Sequence, residues 1–148
     1  MAYKRPSVTM KKISCVMLFL AMLSLCVTSC SKDDDVDLGT FDYPKDELFG
    51  KWNASTIHVK GSLSWIVVEE HPRYKMSITF NSDGTFSGEG YLGNGSGTYR
   101  LYGKTITTYI DGKVYITYTV NDLSSGVANI TATMGGESID MYVYKSRK

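Results

Sequence analysis

Imidazole and carboxylate side chains hold zinc, so metal binding is one chemistry this chain's polar residues suggest. His58 and His71 are its two histidines, and Glu69 and Glu70 stand beside the second. Their spacing matches no zinc ligand set, and adjacent residues on a strand point to opposite faces. The expectation is therefore solvated rim residues and no metal. Asp83, Asp111 and Asp122 sit beside hairpin signals, where aspartate serves the turn itself. No pair of acids suggests glycoside hydrolysis, and no G-x-S-x-G marks a nucleophilic serine. The chain reads as a non-catalytic protein without a cofactor.

The cysteines carry a different message. Cys30 closes Val27-Thr28-Ser29-Cys30 at the end of an apolar stretch that begins near Ile13. Lys4, Arg5, Lys11 and Lys12 form a basic region before it, so the segment has the three parts of a signal peptide. Ile13 to Leu25 holds 13 residues, short of the roughly 20 that a spanning helix needs. The Val27–Cys30 tetrapeptide resembles the lipobox of a bacterial lipoprotein. That resemblance implies cleavage after Ser29, a lipidated N-terminus at Cys30 carrying acyl chains such as palmitate, and an anchored protein that does not span the membrane. Ser31-Lys32-Asp33-Asp34-Asp35 follows, and resembles the export signal of surface lipoproteins in the Bacteroidota. The implied location is the outer membrane, on the cell surface. Cys15 and Cys26 would leave with residues 1–29, so the mature chain would have no disulfide.

Those four basic residues distort the net charge of +1. From Cys30 onward 12 basic and 15 acidic residues remain, a balance of −3. A weakly acidic domain without a basic stripe is a poor nucleic-acid binder. The remaining 119 residues make one domain. Residues 30–47 are polar and acidic, with Gly39 and Pro44, and read as a lipidated flexible tether. Residues 48–148 form the folded part.

From Gly50 onward apolar residues alternate. Val114, Ile116, Tyr118 and Val120 share one face, as do Met76, Ile78 and Phe80. Ala128, Ile130, Ala132 and Met134 repeat the pattern, followed by Ile139, Met141 and Val143. Asp83-Gly84 and Asp111-Gly112 are hairpin turns, with Asn94-Gly95, Gly103-Lys104 and Gly135-Gly136 as further turns. Strands are expected at 51–60, 63–70, 73–80, 84–91, 97–102, 105–111, 113–121, 126–134 and 137–145. Such hairpins build an all-β, antiparallel, up-and-down meander. Closing it into an eight- or nine-stranded barrel removes its edges; a two-sheet sandwich is the alternative.

Three segments in order resemble the lipocalin-like domains of the calycin group. They are Gly50-Lys51-Trp52, the run from Ile78 to Phe86 with its Asp83-Gly84 turn, and Gly97-Thr98-Tyr99 leading to Leu101 and Gly103. The resemblance implies that Gly50 and Trp52 close one end of the barrel. It departs from the larger lipocalins in lacking T-D-Y, and Arg147 lies beyond the last strand. Trp65, Ala128, Ala132 and Met134 are candidate ligand-lining residues: Trp65 belongs to the core or to the barrel mouth, and the small inward Ala128 and Ala132 leave space or fit the taper of a packed barrel. The abundant tyrosines read as cross-strand pairs, Tyr109 against Tyr115 among them; an aromatic surface for glycans or a protein partner is the alternative. The leading function is a barrel that takes a small apolar or amphipathic ligand in its mouth. A packed barrel acting as an accessory to an outer-membrane protein is the second reading.

Overall fold

The computed structural model describes residues 36–147. The expected signal peptide, Cys30 and Ser31 to Asp35 lie outside the described residues. Strands β1 (Gly50–Val59), β2 (Ile66–Val67), β3 (Met76–Phe80), β4 (Thr85–Gly90) and β5 (Gly95–Tyr102) lead on to β6 (Thr105–Ile110), β7 (Lys113–Ser124), β8 (Val127–Met134) and β9 (Glu137–Lys145). A four-residue helix, α1 (Lys45–Leu48), precedes them, and a single 3-10 turn (Pro72–Tyr74) lies before β3.

From β3 to β9 each strand pairs with the next in antiparallel register. β1 then pairs with both β3 and β9, which closes eight strands into a barrel. The expected all-β meander and barrel are what forms. The physical reason is that closure leaves no long unpaired edge. β2 is an addition to this ring, joined to β1 through Thr56↔Val67 and Ile57↔Ile66. The strand expected over 63–70 thus shrinks to two residues. Leu63 is wholly exposed and Trp65 half-exposed, so most of the segment has no buried face to hold it in a sheet.

Turn chemistry explains most of the hairpins. Asp111 and Gly112 both have positive φ, 51° and 74°, as a two-residue type I′ turn requires. Asp83-Gly84 closes differently, because only Gly84 has positive φ. There the Asp83 carboxylate accepts the Thr85 N–H at 2.9 Å and its hydroxyl at 2.6 Å. Both bonds favour the charged form and hold the Asp83 carboxyl below its usual range.

Three β-bulges decide which side chains face inward, and the alternation rule alone does not reveal them. Between Thr107↔Thr117 and Tyr109↔Val114, Thr108 faces two residues, Tyr115 and Ile116. The Thr108 hydroxyl fills the irregularity, accepting from Ile116 N–H and donating to Ile116 O, at 3.0 and 2.8 Å. Two expectations are corrected as a result. Val114 is exposed and does not share the buried face of Ile116, and Tyr109 opposes Val114, not Tyr115. Asn121 is the extra residue of β7 against β8, and Ser55 that of β1 against β9. The Ser55 bulge keeps Ile57 in phase with Trp52 and Ala54, and all three are buried.

The segment before the barrel is also corrected. Residues 36–47, expected to belong to a flexible tether, pack on the fold. Leu38 is 3 % exposed, and Phe41 and Tyr43 pack against the core. Gly39 bridges Leu101, and its φ of 94° with the Leu101 carbonyl 2.2 Å from where a Cβ would stand leaves glycine the only fit. Asp42 N–H donates to Gly103 O at 2.9 Å. Leu38, Phe41 and Tyr43 anchor a stretch whose overall composition is acidic. The compact unit accordingly begins at Val36.

Candidate functional site

One end of the barrel is built around Trp52. Its ring is 3 % exposed, and its Nε1–H donates to Leu48 O at 2.7 Å, so the short helix α1 lies over it. Lys145, at the end of β9, carries its Nζ 5.7 Å from the centre of the ring and donates to Glu47 O at 3.0 Å. A cation over an indole face is attractive, and the same ammonium satisfies a carbonyl that α1 leaves open. Gly50 has φ 126°, and a Cβ there would stand 2.9 Å from the Lys145 side chain. Gly50, Trp52 and Lys145 therefore act as one unit. Lys145 stands two residues after Val143, on the same inward-facing register of β9.

Aromatic rings fill the lumen. Phe80 meets Tyr99 edge-on at 5.0 Å and Tyr118 at 6.2 Å, and Phe86 stacks with Tyr115 at 6.4 Å. Tyr115 reaches Phe86 because the bulge turns it inward, and its hydroxyl donates to Leu92 O at 2.8 Å over the other end of the barrel. The Tyr99 hydroxyl donates to Asn81 O at 2.7 Å, and burial pushes its pKa up to about 12. Tyr118 is pushed up further by the same cause. Eight strands enclose an interior just wide enough for side chains to fill. Two voids lined by the barrel's inward side chains measure about 30 and 20 Å³, room for a water molecule or so each.

The candidate ligand-lining residues do not converge. Ala132 is buried and pairs with Tyr118, and Ala128 is buried opposite Leu123 and Val143. The two alanines make room for their larger neighbours, and Ala128 borders only the 20 Å³ void. Met134, at the end of β8, is 39 % exposed. Trp65 is 44 % exposed on the outer side, with its ring 5.4 Å from His58 and 5.3 Å from Tyr142. His58 also meets Ser62 O at 3.1 Å, while His71 packs edge-on against Tyr74. The two histidines thus serve different local contacts, and Glu69 and Glu70 are exposed.

A surface cleft opens where the barrel wall is incomplete. β1 pairs with β3 up to Asn53↔Ser77 and with β2 from Thr56↔Val67. The gap between is crossed by Val68 N–H donating to Ser55 O at 2.9 Å. Above it lies a cleft of about 500 Å³, with Ala54, Val68 and Met76 as floor and Asn53, Ser55, Thr56, Glu69, Lys75 and Tyr144 as rim. A second groove of about 630 Å³ continues from it, sharing Asn53, Lys75 and Met76. At its far side Lys51 Nζ pairs with Glu89 at 2.9 Å, and Ser77 Oγ donates to the same carboxylate at 2.9 Å. Those partners hold the Glu89 carboxyl below its usual range.

The fold and its plugged end define a class: a closed, eight-stranded antiparallel barrel consistent with a lipocalin-like fold. No protein-family model matches the chain, and no curated protein matches it.

Proposed function

We propose that this chain is a lipid-anchored, non-catalytic envelope lipoprotein whose barrel is a packed scaffold, with its binding surface on the outer wall. Anchoring rests on the Val27–Cys30 motif, and surface display on Ser31 to Asp35. The observation that carries the outer-wall reading is the filled lumen. Ligand pockets run to about 300–1,000 Å³, and the interior voids reach about 30 Å³. The outer cleft, at about 500 Å³, falls within that range. An apolar ligand in the mouth of the barrel would need Tyr115, Phe86 and Leu92 to move out of the lumen. A partner protein of the outer membrane fits the same surface.

Native mass spectrometry of the purified protein tests the packed-scaffold reading. The expected spectrum holds the protein mass alone; a co-purified apolar molecule retained in the gas phase would return the ligand to the lumen. Surface display has its own test. Replacing Lys32 to Asp35 with alanine is expected to keep the lipid and move the protein to the periplasmic face. Protease added to intact cells should then no longer reach it, and unchanged cleavage would reduce the acidic run to a solvated spacer.

A further inference from the structure

We propose that the outer cleft at the gap between β2 and β3 binds a neutral oligosaccharide, with Tyr144, Tyr142 and Trp65 as its stacking platform. This rests on the outer-wall reading above and names its ligand class. Tyr142 and Tyr144 are two residues apart on β9 and so share the outer face. They are 44 % and 48 % exposed, and Trp65 is 44 % exposed. Large rings left half in water beside one another mark a contact surface. The Trp65 and Tyr142 rings lie 5.3 Å apart and tilted by 46°, which makes a shelf with two faces, not a closed stack. Of the three rings Tyr144 lines the cleft itself, two residues along β9 from Tyr142.

The chemistry of the rim selects the ligand. A pyranose has an apolar face of C–H groups and a ring of hydroxyls that both donate and accept. The aromatic rings match the first. Asn53, Ser55 and Thr56 match the second, since an amide and two hydroxyls offer donors and acceptors together. The charges are balanced: Glu69 and Lys75 stand on the same rim, and Lys51 and Glu89 neutralise each other in the adjoining groove. A strongly anionic polymer gains nothing there. A lipid chain needs a deep apolar channel, and here Ala54, Val67, Val68, Pro72 and Met76 share the lining with Asn53, Ser55, Thr56, Glu69 and Lys75. The two adjoining volumes suit a chain of several sugar units lying along the wall.

Isothermal titration calorimetry of the full protein against maltohexaose, cellohexaose, laminarihexaose and chitohexaose is the test, with Trp65 fluorescence followed in parallel. At least one sugar is expected to bind and to change the tryptophan emission. Trp65→Ala and Tyr144→Ala should each weaken binding by about tenfold, the loss of roughly 1.4 kcal/mol, while the circular dichroism spectrum stays unchanged. No binding of any of the four at millimolar concentration overturns the proposal. So does binding that both variants leave intact, or a surface that binds phosphatidylethanolamine vesicles or a protein in place of sugar. A clean mass spectrum with no sugar binding would reject the saccharide and leave the packed scaffold standing.

Discussion

Trp52→Ala is expected to destabilise the protein by about 3–5 kcal/mol, the range for removing a large buried ring. The ring is 3 % exposed, its Nε1–H occupies the Leu48 carbonyl, and Lys145 sits over its face. Its loss leaves a cavity at the plugged end, an unpaired carbonyl under α1 and a lysine without its platform. A disulfide-free domain of this size has about 5–15 kcal/mol in all, so the variant should unfold at markedly lower urea. Trp65→Ala serves as the internal comparison. Its ring is half in water, so the change should cost about 1 kcal/mol or less, as for surface substitutions generally. Urea denaturation followed by far-UV circular dichroism reads both. Equal, small losses would mean that the Gly50, Trp52 and Lys145 unit does not hold the barrel end together.

Cys30→Ala is expected to abolish acylation altogether. At a lipobox the diacylglyceryl group is carried on a thiol, and alanine offers no nucleophile. On the proposed anchoring, lipid would supply about 0.8 kcal/mol for each buried methylene. Growth with an alkyne-labelled fatty acid, followed by purification, should give a labelled wild-type protein and an unlabelled variant. Label retained on the alanine variant would place the lipid elsewhere and remove the basis for anchoring at Cys30.

The strand layout was legible in the chain. Four of the strands were visible as alternating runs between turn residues, because both signals are local: side chains on a strand alternate with period two, and Asp-Gly or Gly-Gly supports positive φ. The cation above Trp52 was not legible, since Lys145 lies 93 residues from Trp52 in sequence and meets it only after β9 closes on β1. The candidate lining set failed to converge for a related reason. Ala128 and Ala132 are small and buried, but whether small residues make a cavity depends on what stands opposite. Tyr118 stands opposite Ala132.

By itself, then, the amino-acid order determined the all-β class and the hairpin sequence, each encoded within a few neighbouring residues. Tertiary structure decided everything that depends on register between distant strands. The bulges at Ser55, Tyr115 and Asn121 each add one residue on one side of a ladder, and one residue is enough to reverse which face a side chain occupies. That reversal turned Tyr115 into the lumen and Val114 out of it. Closure brought Phe80, Tyr99 and Tyr118 into contact across the interior and filled it. The incomplete pairing of β1 with β2 and β3 then opened the cleft on the outer wall, beside rings that two separate segments contribute.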